Sequence, residues 1–158
     1  MSTRPYIEGM IEALRQAGDQ PLLRRDGDGT TGGELLAAIY RYARALESLG
    51  VARGDLVAMY APNRPEALAL RYATHLLGAA SVYLSAPPDP GKRAQMLVDF
   101  RPRLVVVFPE TAHLLPPTTA PSAAIGPVQA IPLRLDELAG AQDPARWRAA
   151  PVRATSPW

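Results

Sequence analysis

Cysteine is absent from this chain, which excludes a disulfide framework, a thiolate nucleophile and any cysteine-based zinc site. Histidine is nearly as scarce. His75 and His113 stand far apart with no ligand-like spacing around them, so each reads as a helix-surface or loop residue rather than a metal ligand. Lys92 is the only lysine. The arginines are scattered, with no basic stripe interleaved with aromatics, which argues against a nucleic-acid surface. Basic residues number 17 against 15 acidic, a balance too even to imply a charged partner. No apolar run approaches the ~20 residues that span a bilayer, and no signal-peptide core follows Met1 to Pro5. A cytoplasmic protein is the expectation.

What is present is a chain of 158 residues that is 47% hydrophobic, long enough to bury roughly 70% of its unfolded surface. Residues 54–108 organise it. Three short apolar runs stand there, Leu56 to Tyr60, Ala80 to Leu84 and Leu104 to Phe108. Runs of about five apolar residues without polar alternation suit strands buried on both faces. Between them lie two helical segments, one entered through Pro65 and closed at Gly78, the other capped by Asp89, entered through Pro90 and stopped by Pro102. Strands alternating with helices predict a parallel sheet with packed crossovers.

Upstream, Ile7, Met10, Ile11 and Leu14 mark one face of a helix over Tyr6 to Ala17. Pro21 to Arg25 followed by Asp26-Gly27-Asp28-Gly29 predicts a small hairpin. Thr31-Gly32-Gly33-Glu34 has the spacing of a capping box, a device worth about 1 kcal/mol. Leu35, Ile39, Tyr42, Leu46 and Leu49 then form an apolar stripe too short for a coiled coil, so packing on a sheet is expected. Arg53-Gly54-Asp55 reads as a turn before a buried strand, not as an adhesion tripeptide. From Pro109 prolines recur, leaving room for one edge strand at Val128 to Leu133 and one helical turn at Leu135 to Ala139. The organisation is therefore 1–30, an N-terminal helix and hairpin; 31–108, an α/β core; and 109–158, a proline-rich irregular end with one strand, expected to be an incomplete domain.

Ligands of parallel α/β sheets bind beyond the carboxyl ends of the strands, here the loops Ala61 to Arg64, Ser85 to Asp89 and Pro109 to His113. These loops offer proline, asparagine, arginine and serine. No nucleophile–base pair, zinc spacing or nucleotide fingerprint is legible, and prolines stand where a phosphate loop would present backbone amides. No catalytic, cofactor-binding or metal-binding residue is assigned.

The order of several words nonetheless resembles the N-terminal part of the adenylate-forming enzymes, the superfamily of acyl-CoA synthetases, peptide-synthetase adenylation domains and luciferases. The words are Thr31-Gly32-Gly33-Glu34-Leu35, Arg44-Ala45-Leu46-Glu47-Ser48-Leu49-Gly50-Val51, Gly54-Asp55-Leu56-Val57-Ala58, Asn63-Arg64-Pro65-Glu66, Leu77-Gly78-Ala79 and Leu97-Val98-Asp99-Phe100-Arg101-Pro102. The resemblance is good from Tyr6 to Phe108 and points first to the acyl-CoA synthetase (AMP-binding ligase) branch. It implies an α/β fold with a mostly parallel sheet flanked by helices, the N-terminal subdomain of an acyl-CoA synthetase-like fold truncated before the phosphate loop. For the full-length protein it implies ATP, Mg and CoA, a carboxylic acid substrate in the fatty acid range, adenylation, and then thioester formation. Thr155-Ser156 resembles the opening pair of the family's phosphate loop, but Pro157-Trp158 departs from it, so no match is transferred. The family's catalytic lysine belongs to a later domain, and Lys92 is read as a solvated helix residue.

These 158 residues are therefore expected to be an inactive N-terminal fragment whose partner is the remainder of its own ligase domain. An unpaired sheet edge is expected to promote self-association. Two competing readings stay open: a stand-alone flavodoxin-like binding module, and a ligase that loads a carrier protein instead of CoA.

Overall fold

The computed structural model describes residues 4–18, 21–25 and 28–145. Helix α1 (Arg4–Ala17) buries Ile7, Ile11 and Leu14, the stripe expected from their spacing. Strands β1 (Pro21–Arg25) and β2 (Asp28–Thr31) pair antiparallel; of the expected turn residues, 26 and 27 lie outside the described residues, while Asp28 and Gly29 belong to β2 and pair with Arg25 and Arg24. Helix α2 (Gly32–Ser48) opens on the capping box. The Glu34 amide donates to Thr31 Oγ1 at 3.1 Å, and the Thr31 amide donates to Glu34 Oε1 at 3.4 Å. Two amides that the helix itself leaves free are thereby satisfied. Gly32 sits where α2 meets α1. A Cβ there would lie 2.5 Å from the Leu14 carbonyl oxygen.

The sheet is built from β3 (Leu56–Met59), β4 (Ala80–Tyr83), β5 (Leu104–Val107) and β6 (Ser122–Ala124), in the order β4-β3-β5-β6. Every pairing is parallel. The three apolar runs thus lie side by side and point the same way. Helices α3 (Pro65–Leu76) and α4 (Pro90–Phe100) are the crossovers. Strand periodicity sorts the core into two layers. Val57, Met59, Val106, Phe108, Ala123 and Ile125 share a cluster with residues of α2 and α3. Ala58, Tyr60, Val105, Val107 and Ala124 share the other with Leu97 of α4. Each fully buried aliphatic or aromatic side chain contributes about 1.5–3 kcal/mol.

Two expectations need correction. The Ala80 to Leu84 run is not buried on both faces: β4 is an edge strand, and Tyr83 is 47% exposed. Among the described residues β4 pairs only with β3, and α4 covers little of it, so its apolar character is only partly used. The strand expected at Val128 to Leu133 is not there. Pro132 removes a ladder donor from that stretch, and the edge position is taken by β6 instead. The Ile125 amide donates to the Val107 carbonyl at 2.9 Å, and the Ala124 amide to the Leu133 carbonyl at 2.9 Å. Helix α5 (Leu135–Gly140) falls where one helical turn was expected and buries Leu135 and Ala139. Arg44 of α2 then holds the chain beyond α5, donating to the carbonyls of Asp143 at 2.8 Å and Ala145 at 2.6 Å. Thr155 and Ser156 lie outside the described residues. Among the described residues no helix is long and apolar enough to cross a membrane.

Candidate functional site

Because β3, β4 and β5 run parallel, the loops that follow them emerge at one end of the sheet. Arginines tie these loops together. Arg64, the residue that precedes α3, donates through Nε to Glu66 Oε2 at 3.3 Å and through Nη1 to Glu110 Oε1 at 3.1 Å. Its guanidinium carbon lies 5.6 Å from the centroid of the Phe108 ring, within cation–π range. Burial pulls the Arg64 pKa down, but the two carboxylates outweigh it and the net direction is upward. Arg64 is therefore a fixed cation that joins the loop after β3 to the loop after β5.

Arg93 does the same from α4. Its Nε donates to the Leu114 carbonyl at 2.9 Å, and its Nη1 to the carbonyls of Pro87 at 2.7 Å and Pro88 at 3.1 Å. The loop after β4 is thus joined to the 3₁₀ turn Ala112–Leu114. Thr111 completes the frame: its hydroxyl donates to the Tyr60 carbonyl at 2.7 Å and accepts from the Phe108 amide at 3.0 Å. Asp89 caps α4 by accepting from the Gly91 amide at 2.9 Å.

Behind this frame the buried Tyr42 phenol is pushed well above its ordinary pKa, first by burial and then by the carboxylates of Asp136 and Glu66. It stays neutral at every physiological pH. Arg134 makes a two-pronged contact with Asp136, Nε to Oδ1 at 2.9 Å and Nη2 to Oδ2 at 2.7 Å. Those bonds, against the opposing effect of burial, hold the Asp136 carboxyl below the ordinary range, helped by the Gly126 amide. The chemistry of this end is a preorganised set of salt-bridged and carbonyl-bound arginines, suited to holding loops in place.

The three loops lie at one end of the sheet, as the strand order required. The structure also brings together a pair that the sequence did not suggest. His75 Nε2 lies 3.0 Å from Ser81 Oγ. The only signal was a histidine six residues before a serine across a Gly78 turn. Burial, then the neighbouring Arg71 charge, lowers the His75 pKa, and no carboxylate is among the groups that shift it. The pair joins α3 to β4. His113 is exposed in the 3₁₀ turn and Lys92 is exposed on α4. Among the described residues no group of three or more His, Asp or Glu side chains could hold a metal ion.

The His75 shift carries a sign that can be checked. The folded pKa lies below 6.5, so as pH falls the unfolded chain takes up this proton first. The His75 contribution is full above pH 6.5 and is lost as pH falls through the lower folded value. His75→Gln, which keeps a hydrogen-bonding partner for Ser81, is expected to narrow the loss of melting temperature between pH 8 and pH 5. An identical loss in the variant and the parent chain would refute the assignment.

A family model described as AMP-binding enzyme matches residues 11–156. The acetyl-coenzyme A synthetase of Cronobacter sakazakii (strain ATCC BAA-894) is 33% identical over 103 residues, covering 61% of this chain and 16% of the relative. That of Shewanella sp. (strain W3-18-1) is 35% identical over 80 residues, covering 51% and 12%. The chain thus spans less than a fifth of the length of these relatives. Among solved structures, a benzoate CoA ligase from Burkholderia xenovorans LB400 superposes with a TM-score of 0.75 at 21% identity, over 96% of this chain and 30% of that one. The anthranilate CoA ligase AuaEII, in complex with anthranoyl-AMP, gives 0.78 at 20% identity over 91% and 29%. The fold of these residues is that of a portion of a CoA ligase.

Proposed function

This chain belongs to the AMP-binding enzyme family, and from that premise we propose that it supplies scaffold beneath the adenylation site of an acyl-CoA synthetase-like ligase. In the full-length protein a carboxylic acid, in the fatty acid range, attacks ATP to give an acyl-adenylate, and the CoA thiol then takes the acyl group. The family match over residues 11–156 carries this reading. The loops at the carboxyl end of the sheet support a framework role: their arginines clamp backbone and carboxylates.

The three loops at the carboxyl end of the sheet do not fit ATP or magnesium. A triphosphate needs free cations or consecutive backbone amides. Pro62, Pro65, Pro87, Pro88, Pro90 and Pro109 lack the amide, while Arg64 and Arg93 are already engaged. Glu66 and Glu110, the nearest carboxylates, are both paired with Arg64. No step with ATP, magnesium or CoA is therefore routed through these residues, and the 158 residues alone are proposed to be inactive.

Two measurements test this. The purified chain, given ATP, magnesium and acetate, benzoate or a fatty acid, is expected to show no carboxylate-dependent pyrophosphate exchange. Grafted in place of the matching 103 residues of the Cronobacter sakazakii acetyl-coenzyme A synthetase, it is expected to leave exchange detectable. Exchange by the chain alone would end the scaffold reading. A soluble, folded graft without exchange would count against the ligase reading.

A further inference from the structure

The amino ends of the strands carry a feature that the scaffold role leaves unused. Gly54 to Leu56 lead into β3, Phe100 to Arg103 connect α4 to β5, and Pro121 precedes β6. Together they enclose a depression of about 400 Å³. It lies at the opposite end of the sheet from the loops described above. Its volume falls in the range of small-molecule sites.

Arg101 is the only non-glycine residue with positive φ among the described residues, at φ 50°. Arg101 ends α4 in the left-handed conformation, a common way for a helix to stop, and Pro102 after it disfavours continuing the helix. That stop does not call for a guanidinium, since glycine or asparagine adopts that conformation at lower cost. Arg101 and Arg103 are both exposed, and neither side chain has a hydrogen-bond or ion-pair partner among the described residues; the Arg103 guanidinium packs against Gly50, where an added Cβ would meet Nη2 at 2.6 Å. That contrasts with Arg64, Arg93 and Arg134, all of which are engaged. The Asp55 carboxylate, also in the wall, accepts from the Ala52 amide at 2.9 Å. Phe100 is 42% exposed, and Pro102 and Pro121 add apolar wall.

We propose that this depression binds a small oxyanion, phosphate or carboxylate, borne on a planar apolar group. Arg101 and Arg103 pair with the oxyanion, since guanidinium forks match both anions, and the planar group rests on the Phe100 side of the wall. The test titrates phenyl phosphate and benzoate into the 158-residue chain at fixed ionic strength, following backbone amide NMR shifts. Saturable shifts centred on Gly54, Phe100, Arg101 and Arg103 are expected, weakening with added salt. The tighter probe names the oxyanion. Arg101→Asn, which suits the left-handed backbone, is expected to keep or raise the melting temperature while weakening binding at least about tenfold. Arg103→Gln is expected to weaken binding to a similar degree. Absence of saturable shifts with both probes overturns the proposal. So does equal affinity in both variants, or a sharp fall in melting temperature on Arg101→Asn, which would make that guanidinium structural. The readout requires no turnover and monitors amides at the other end of the sheet, so it can fail independently of the ligase reading.

Discussion

Phe108→Ala is expected to cost about 3–5 kcal/mol, a large part of the ~5–15 kcal/mol that holds an ordinary domain folded. Phe108 follows β5 directly, is 0% exposed, and shares a core cluster with Met59, Leu70 and Ile125. Truncation removes the apolar area of the ring and leaves a void that strands on either side cannot collapse to fill. It also takes away the ring beneath Arg64. The salt bridges from Arg64 to Glu66 and Glu110 remain, but they are partly exposed and exposed pairs are worth little, typically below about 1 kcal/mol. The packing term therefore decides the outcome. Urea unfolding at pH 7 measures it, with Phe100→Ala as the reference: Phe100 is 42% exposed, and its loss is expected to cost less than about 1 kcal/mol. Equal losses in the two variants would mean that Phe108 does not sit in the core as described.

Phe108 was legible as a core residue because a continuous apolar run marks a strand covered on both sides. The same rule misjudged Ala80 to Leu84, and the reason is physical. A run of apolar residues encodes what a strand can tolerate, not which neighbours flank it. Strand order is a tertiary property, and here it puts β4 at an edge. Strand β6 was missed for the opposite reason. Ser122, Ala123 and Ala124 carry little β propensity, and their strand is held by pairing with β5 and by the Leu133 carbonyl. Small residues there fit because Ala123 and Ala124 are fully buried, where larger side chains would need space.

The capping box at Thr31 and Glu34 was readable because both partners lie within one turn. The loop-end site was only half readable. Parallel strands place three loops together by geometry, so their location followed from the strand–helix alternation. The links that fix them did not, since Arg64 to Glu110 spans 46 positions and Arg93 to Leu114 spans 21. No local pattern encodes such a contact. His75 and Ser81 were closer in sequence, yet their meeting depends on the turn that folds α3 back onto β4.

Gly126→Ala is expected to destabilise the chain by roughly 2–5 kcal/mol, from left-handed strain and overpacking acting together. Gly126 has φ 93°, and a Cβ there would lie 2.9 Å from Pro109 Cγ and 3.0 Å from Cδ. A proline ring is not the free end of a flexible side chain, so relief requires the backbone to move. Gly140→Ala is the matched control. Nothing lies within 4 Å of its Cβ position, and Gly140 lies within α5, where alanine is the better helix former, so neutrality or a gain of up to about 1 kcal/mol is expected. The Gly126 variant also has a pH signature. The Gly126 amide helps hold the Asp136 carboxyl below 3.8, and a depressed carboxyl stabilises the fold above its unfolded pKa and loses that contribution as pH falls through the folded value. If moving Gly126 withdraws the amide, the Asp136 pKa rises toward 3.8, and the gap between parent and variant narrows in acid. Carboxyl titration by NMR, beside unfolding at pH 7 and pH 3, measures both effects. A large loss at pH 7 with an unmoved Asp136 pKa would assign the whole cost to the Pro109 contact and the backbone conformation. No loss at all would mean that the turn can re-form without a glycine.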